Sequence, residues 1–149
     1  MIVLASEGVV MAEQAVRLSD VCEVCGRARE VWVVQLVRSG RLRWEVEREC
    51  AGCQVSHQWV WGPAPAHVRD LLIDRHGVEH VKTVGEVRKR GVLLKVFREV
   101  FGASIAEARE FGREATGTGY EGTRVEVHLL SRLLRERGVE VEVRPGSCG

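Results

Sequence analysis

The stretches Cys22-Glu23-Val24-Cys25 and Cys50-Ala51-Gly52-Cys53 are two Cys-x-x-Cys pairs, and the 24 residues at positions 26–49 separate them. Each pair predicts a tight knuckle whose backbone amides point back towards its thiolates, and the segment between the pairs is long enough for two β-strands. Four thiolates that meet across a hairpin form a tetrahedral site suited to one structural Zn²⁺ ion. The sequence therefore predicts a zinc ribbon with these ligands: Cys22, Cys25, Cys50 and Cys53.

Two other chemistries use cysteines at this spacing. A single Cys-x-x-Cys can be a redox pair or a disulfide, but two pairs flanking a hairpin in a chain without a secretion signal favour a metal. Iron bound by the same four thiolates is the alternative to zinc. Cys148 stands outside both pairs, on a Gly-Ser-Cys-Gly tail, and is expected to be a free thiol.

Length and composition describe an ordinary globular protein. The 149 residues are 45% hydrophobic and 29% charged, which suits one domain or two small ones. The net charge of +1 means that any contact with nucleic acid must come from a local patch. The apolar run from Met1 ends at Glu7, too short for a signal peptide or a membrane span, so a cytoplasmic protein is expected. Both Met1 and Met11 are candidate start residues.

A hairpin is predicted between the two knuckles. The β-rich run 31–37 and the alternating run 42–47 flank Ser39-Gly40, which has turn character. With these two residues as the loop, apolar side chains share one face, and four pairs stand opposite each other: Val33 with Val46, Gln35 with Trp44, Val37 with Leu42, and Arg38 with Arg41. Residues 55–61 predict a third antiparallel strand, which completes a ribbon domain at residues 17–62.

A short helix follows the ribbon. Pro63 and Pro65 mark a stiff junction, and residues 66–76 have helical spacing with a glycine stop at Gly77. Residues 63–77 are therefore predicted to be a linker helix between two domains. Its two histidines, His67 and His76, are expected to be exposed rather than to bind metal.

The pattern changes at Val78. One strand, two helices, a strand, a longer helix and a final strand are predicted for a second domain at residues 78–145. Ser104–Glu107 and Thr123–Glu126 both have the capping-box pattern that opens a helix. Seven apolar positions are predicted to face its core: Leu93, Val96, Phe97, Val100, Val127, Leu130 and Leu134. The whole chain is thus predicted to be α+β, a small all-β zinc ribbon followed by an α/β sandwich.

Several local patterns of this second half resemble a known domain. Residues 94–102 resemble the Ile-Lys-x-Val-Arg-x-x-x-Gly helix of the carboxy-terminal domain of the bacterial ribosomal large-subunit stalk protein. Residues 104–110 are similar to its Leu-Lys-Glu-Ala-Lys turn and helix, and Glu121-Gly122 occupies the place of its Lys-Glu-Gly. Residues 137–143 resemble its Ala-Gly-Ala-x-Val-Glu-Val ending. The resemblance covers residues 79–144 and implies a bacterial protein with the stalk domain's α/β sandwich fold.

The resemblance also implies a binding surface. In the stalk family, a basic and apolar surface across the first two helices contacts translational GTPases. The positions of this chain that match it are Arg90, Leu94, Lys95, Arg98 and Arg109. Where the stalk protein has a dimerisation helix pair and a hinge, this chain has a ribbon, so it should not be a stalk subunit. The Clp protease adaptor is similar in fold but relies on an asparagine in an acidic loop, and this chain has no asparagine.

Two functions follow from these observations. No arrangement of nucleophile, base and orienting acid is recognisable and four cysteines would close the metal shell, so no enzyme and no small-molecule substrate are expected. The first hypothesis is a non-catalytic zinc-binding adaptor that binds a protein partner, associated with translation or the ribosome, without membrane contact. The alternative is a nucleic-acid-binding or transcription-associated ribbon that uses Arg41, Arg43 and the tryptophans. Most of the four tryptophans are expected to cover the core or the second domain, which would count against this alternative.

Overall fold

The computed structural model of the chain describes residues 10–53 and 55–146, so the expectations for Met1–Glu7 and for Cys148 fall outside the described residues. The fold is α+β and contains a four-stranded and a three-stranded antiparallel sheet. The elements in chain order are β1 (Val10–Val21), β2 (Ala28–Arg38), β3 (Arg41–Cys50), β4 (Ser56–Trp61), α1 (Ala66–His76), β5 (Glu79–Thr83), α2 (Arg90–Phe101), α3 (Ile105–Thr116), β6 (Tyr120–Gly122), α4 (Arg124–Glu136) and β7 (Val141–Pro145).

The predicted hairpin register is confirmed in β2 and β3. All four expected pairs stand opposite each other, from Val33 with Val46 to Arg38 with Arg41. Ser39 and Gly40 both have positive φ, 54° and 73°, which is the geometry of a two-residue type I′ turn. β4 pairs with β3 as the predicted third strand of the ribbon.

A fourth strand precedes the first knuckle, so the prediction of three strands was wrong. β1 pairs with β2 along its whole length, and the sheet begins at Val10, ahead of the predicted boundary at residue 17. The sequence hides this strand because Gln14, opposite Gln35, occupies an inward position where an apolar residue is expected. Gln14 is nonetheless 92% buried, with 8% of its surface exposed.

The predicted linker helix packs on one face of the four-stranded sheet. α1 ends at Gly77, whose φ is 81°, and both of its histidines, His67 and His76, are exposed as predicted. Val68 and Leu72 of α1 are buried against the inner face of the sheet, which we define by the side chains that point to this helix: Val16, Val31, Val33 and Val46. The helix therefore covers the sheet rather than simply joining two units.

The second half has the predicted order of strands and helices. Its sheet has the order β6-β5-β7, with both pairings antiparallel. The seven positions predicted to face the core are buried, and Phe97 is fully enclosed with 0% of its surface exposed. Both capping boxes form, with Ser104 and Thr123 each accepting a hydrogen bond from the amide three residues later. Among the described helices, none has the length and apolar character needed to cross a membrane.

The two sheets are joined by a common packing layer. The core of the second half extends to Val37 and Leu42 on the four-stranded sheet. The Thr123 hydroxyl at the start of α4 donates to the side-chain carbonyl of Gln35 at 2.6 Å. Arg69 of α1 donates to both carboxylate oxygens of the buried Glu126 at 3.0 Å. Whether residues 17–62, 63–77 and 78–145 act as separate domains stays a prediction.

Candidate metal centre and surrounding surfaces

The four cysteines of the two knuckles meet at one end of the four-stranded sheet. The first knuckle joins β1 to β2 and the second follows the last residue of β3. The four Sγ atoms all lie within 4.8 Å of one another. The Cys22 and Cys53 sulfurs are 3.9 Å apart, and those of Cys25 and Cys50 are 3.3 Å apart. The predicted ligand set is therefore brought together.

These separations fit a shared metal ion. A Zn–S bond of about 2.3 Å places the corners of a tetrahedron about 3.8 Å apart, which is close to the 3.3 Å and 3.9 Å between these sulfurs. A disulfide needs about 2.05 Å between its sulfurs, and all four of these cysteines are free. The four thiols could hold a metal ion. A fully cysteine-filled tetrahedron leaves no open coordination position, which is typical of structural metal sites.

Backbone geometry shapes each knuckle. The Gly26 amide donates to the Cys22 carbonyl at 2.8 Å, and Gly26 turns the chain with a φ of 74°. In the second knuckle the Cys53 amide donates to the Cys50 carbonyl at 3.3 Å. A Cβ atom at Gly52 would lie 3.3 Å from the Arg27 guanidinium, so a larger residue would require a small shift of that side chain. Gly26 thus allows the turn of the first knuckle, and Gly52 leaves room for Arg27.

The four thiols do not ionise equally. The backbone amides of Cys25 and Val24 point at the Cys22 sulfur and lower the pKa of Cys22 to about 6. The pKa of Cys53 rises to about 12, because the sulfurs of Cys25, Cys22 and Cys50 crowd around it. One thiolate therefore forms readily and opposes ionisation of its neighbours, and a divalent cation at the centre of the cluster would remove this opposition.

Arginines near the cluster have different roles. Arg29 forms two hydrogen bonds of 2.7 Å with the Asp20 carboxylate, so its charge is held at the sheet edge. Arg27 packs beside Gly52 in the opposite knuckle. His57 contacts residues of the sheet: its ring centroid is 5.5 Å from that of Trp59, and its Nε2 is 3.5 Å from the Glu45 carboxylate.

The five predicted partner-binding residues meet on a second site, which we call the α2–α3 surface. Leu94 of α2 is half-buried and separates two grooves. Lys95 and Arg98 line one groove together with Leu94, and Arg90 and Arg109 line the other. The sequence alone missed Ile105, which is 52% exposed and adds an apolar wall to the first groove.

The α2–α3 surface is cationic because its acidic residues have other partners. Glu99 binds Arg137 at 2.7 Å and Glu110 binds Arg113 at 2.9 Å. The Glu107 carboxylate accepts a hydrogen bond from the Ser104 amide, and this bond lowers the pKa of Glu107. Within residues 10–53 and 55–146, three basic side chains of the surface form no ion pair: Arg90, Lys95 and Arg109.

The tryptophans occupy unexpected positions, and the expectation that most of them cover the core was wrong. Of the four tryptophans, all of which the structure describes, only Trp44 packs against the buried side chains between the inner face and α1. Trp32, Trp59 and Trp61 are 37%, 52% and 37% exposed. The strand register explains this result. Trp32, Glu47 and His57 stand opposite one another on adjacent strands, so their side chains share one face. Trp59 and Trp61 follow His57 by two and four residues and therefore lie on the same face, which is opposite α1. We call this the outer face.

Arginines lie against the rings of the outer face. The Arg43 guanidinium is 4.9 Å from the Trp59 ring centroid and 5.2 Å from that of Trp61, and Arg41 is 4.8 Å from Trp61. Arg43 also donates to the Glu45 carboxylate through Nε at 3.0 Å, and only 8% of Arg43 is exposed. Much of the basic charge on this face is therefore engaged within the protein.

Similarity to known proteins adds nothing to this geometry. In comparisons with known protein families, with characterised proteins and with solved structures, no significant match to the chain is found.

Proposed function

We propose that the protein is a non-catalytic adaptor in which one structural Zn²⁺ ion stabilises the ribbon and the α2–α3 surface binds a partner protein. The observation that carries the proposal is the convergence of four basic side chains around Leu94, with an exposed isoleucine beside it. A cationic surface with an apolar centre is complementary to an acidic segment that carries one or two apolar side chains. The resemblance of residues 79–144 to the stalk domain supports a partner from the translation machinery.

Zinc is proposed over iron because four cysteines from two Cys-x-x-Cys knuckles converge at the end of a β-sheet. Such sites are typical of Zn²⁺, although iron can occupy the same ligands. Elemental analysis of the purified protein should find one zinc ion per chain. If the purified protein contains iron and absorbs visible light, the metal is iron and not zinc. If it is folded and contains no metal, the proposed metal site is wrong.

A co-purification experiment tests the α2–α3 surface. Tagged protein is recovered from cells of its native host, and bound proteins are identified by mass spectrometry. The variant Lys95→Glu with Arg98→Glu should lose the partner, because two of the basic contacts become repulsive. The matched control is Arg75→Glu with Arg144→Glu, which makes the same change of charge on α1 and β7. If both variants recover the partner as well as the wild type does, the interface lies elsewhere on the protein.

The exposed tryptophans favour one second candidate function, the binding of single-stranded nucleic acid. Aromatic rings on an open sheet can stack on bases, and Arg41 lies beside Trp61. This candidate predicts RNA or DNA binding that falls steeply as salt rises. Filter binding at low and at physiological salt tests it, with Arg41→Glu as the expected loss variant. Binding that does not change with salt would count against this function.

A further inference from the structure

The edge strand β4 is exposed on both sides of the sheet. All six of its residues, Ser56–Trp61, are exposed. Trp59 and Trp61 project from the outer face and are 52% and 37% exposed, while Val60 projects from the opposite face and is 49% exposed. A strand with apolar side chains exposed on both faces is unusual in a soluble sheet and indicates that another molecule covers it.

The backbone of β4 is also available for pairing. β4 pairs with β3 on one side, and the Gly62 amide donates to the Leu42 carbonyl at 2.8 Å. Because backbone groups alternate in direction along a strand, the groups of Gln58 and Val60 also point to β3. The N–H and C=O groups of three residues therefore point away from the sheet: His57, Trp59 and Trp61. Within residues 10–53 and 55–146, β4 has no strand on that side.

The edge strand on the other side of the sheet, β1, carries protective features that β4 lacks. Proteins protect sheet edges with charged residues, proline and bulges. β1, at the opposite edge, carries Glu13, Arg17 and Asp20, and its pairing with β2 is irregular between Val10 and Ala12. The sequence of β4, Ser-His-Gln-Trp-Val-Trp, contains no lysine, arginine, aspartate, glutamate or proline, and its pairing with β3 is regular.

We propose that β4 is a dimerisation edge, at which two copies of the chain pair their β4 strands antiparallel about a two-fold axis at Trp59. Strand order and exposure place the edge, and the alternation of the backbone sets the register. The three outward-facing residues are symmetric about Trp59, so His57 stands opposite Trp61 of the second copy and Trp59 stands opposite itself. This register uses every outward-facing backbone group of β4. It joins the two four-stranded sheets into one continuous sheet.

Charge favours a second copy over nucleic acid as the occupant. A strand that pairs with itself must avoid placing like charges opposite each other, and the uncharged composition of β4 meets this condition. A nucleic-acid strand would need free basic groups along the edge. Two arginines lie against the rings of β4: Arg43 is 8% exposed and bound to Glu45, so the exposed Arg41 beside Trp61 offers one basic group and not a row of them. The proposed dimer also leaves the α2–α3 surface free and does not depend on the adaptor function.

Sedimentation velocity of the metal-loaded full chain over a range of concentrations tests the proposal. The strand is short, about 20 Å at about 3.3 Å per residue, so we expect a dimer that dissociates on dilution. Trp59→Glu places two carboxylates opposite each other at the axis and should give a monomer at every concentration. Trp32→Glu is the matched control, because it changes another exposed tryptophan of the outer face away from β4 and should keep the dimer.

A charge-exchange experiment separates loss of pairing from loss of folding. Trp59→Lys alone should also be monomeric, because two ammonium groups then face each other. A mixture of the Trp59→Glu and Trp59→Lys proteins should form a heterodimer, since opposite charges now pair across the axis. The proposal is overturned by a wild-type monomer at all concentrations, by a dimer that survives Trp59→Glu, by a mixture that stays monomeric, or by nucleic acid bound at β4 of a monomer. Lys95→Glu with Arg98→Glu should leave the dimer unchanged.

Discussion

The four-stranded sheet and the βααβαβ half bury their apolar residues in different ways. The second half has an enclosed core with an aromatic cluster, in which the ring centroids of Phe97 and Tyr120 are 5.2 Å apart and those of Phe101 and Phe111 are 5.7 Å apart. The sheet has one face covered by α1 and α4 and one face that carries three exposed tryptophans. The four cysteines lie at one end of this sheet. A half without a complete core needs another source of stability, and a metal ion is the obvious one.

Removal of the metal should have the largest effect and should fall on one half. Zinc binding at such sites contributes on the order of 10–16 kcal/mol, which is comparable with a whole domain's stability of about 5–15 kcal/mol. Cys50→Ser removes one ligand, and we expect the amides of β1–β4 to lose hydrogen-exchange protection while those of α2, α3 and α4 keep theirs. Cys148→Ser is the control. Unchanged protection in β1–β4 would show that packing against α1 and α4 is enough to hold the sheet.

Phe97→Ala should reverse this pattern. Phe97 is fully buried among the other rings of the cluster, so its truncation should cost about 3–5 kcal/mol. The protein should still bind one metal ion per chain, because the knuckles are far from this core in the fold. Urea unfolding and elemental analysis measure the two effects. The control is Ile105→Ala, at an exposed position, and loss of metal from Phe97→Ala would show that the two halves depend on each other.

The ion pair of Arg69 with Glu126 tests how strongly the halves are coupled. Glu126 is 1% exposed, and it also accepts the Thr123 amide at 3.0 Å. Because Arg69 is partly exposed, we expect Glu126→Gln to cost about 2 kcal/mol, less than the loss of a fully buried pair. A double-mutant cycle with Arg69→Met in urea unfolding gives the coupling energy. Two separated unfolding steps in the variants, with one step in the wild type, would show that this contact joins the halves.

The smallest expected effect is the loss of one helix cap. Ser104→Ala should cost about 1 kcal/mol, and Thr123→Ala should cost more because its hydroxyl also donates to Gln35. The Ser104 amide lowers the pKa of Glu107 below its ordinary value of 4.5, so the stabilisation is present above that pH and is lost as pH falls through the lowered pKa. Thermal melts of both variants at neutral and acid pH measure these differences. Equal costs for the two caps would mean that the bond to Gln35 contributes nothing.

Local rules in the sequence predicted much of this fold. A two-residue turn at Ser39-Gly40 determines which residues stand opposite each other, and a capping box marks where a helix starts, so both are readable from neighbouring residues. β1 was missed because Gln14 interrupts its apolar pattern and only its pairing with β2 makes it a strand. Exposure of the tryptophans depends on which sheet face α1 and α4 cover, which is decided by residues far away in the chain.

The candidate sites, like the fold, could be predicted from the sequence only where neighbouring residues determine them. Cysteine spacing was enough to predict the ligand set, and the sulfurs do converge. The α2–α3 surface was expected from five residues, but Ile105 joins it only through the packing of α3 beside α2. A sequence pattern identifies residues that share one helix face, and it does not identify what a neighbouring helix contributes.

The aromatic residues are divided between the two halves by type. All four tryptophans lie at positions 32–61, whereas the single tyrosine and the three phenylalanines lie at positions 97–120. Indole fluorescence therefore reports on the four-stranded sheet alone, whereas Tyr120, which is packed edge-on to Phe97 and Phe111, lies in the other half. Loss of structure in the sheet can thus be followed in the intact chain without any label and compared with the unfolding of the whole chain.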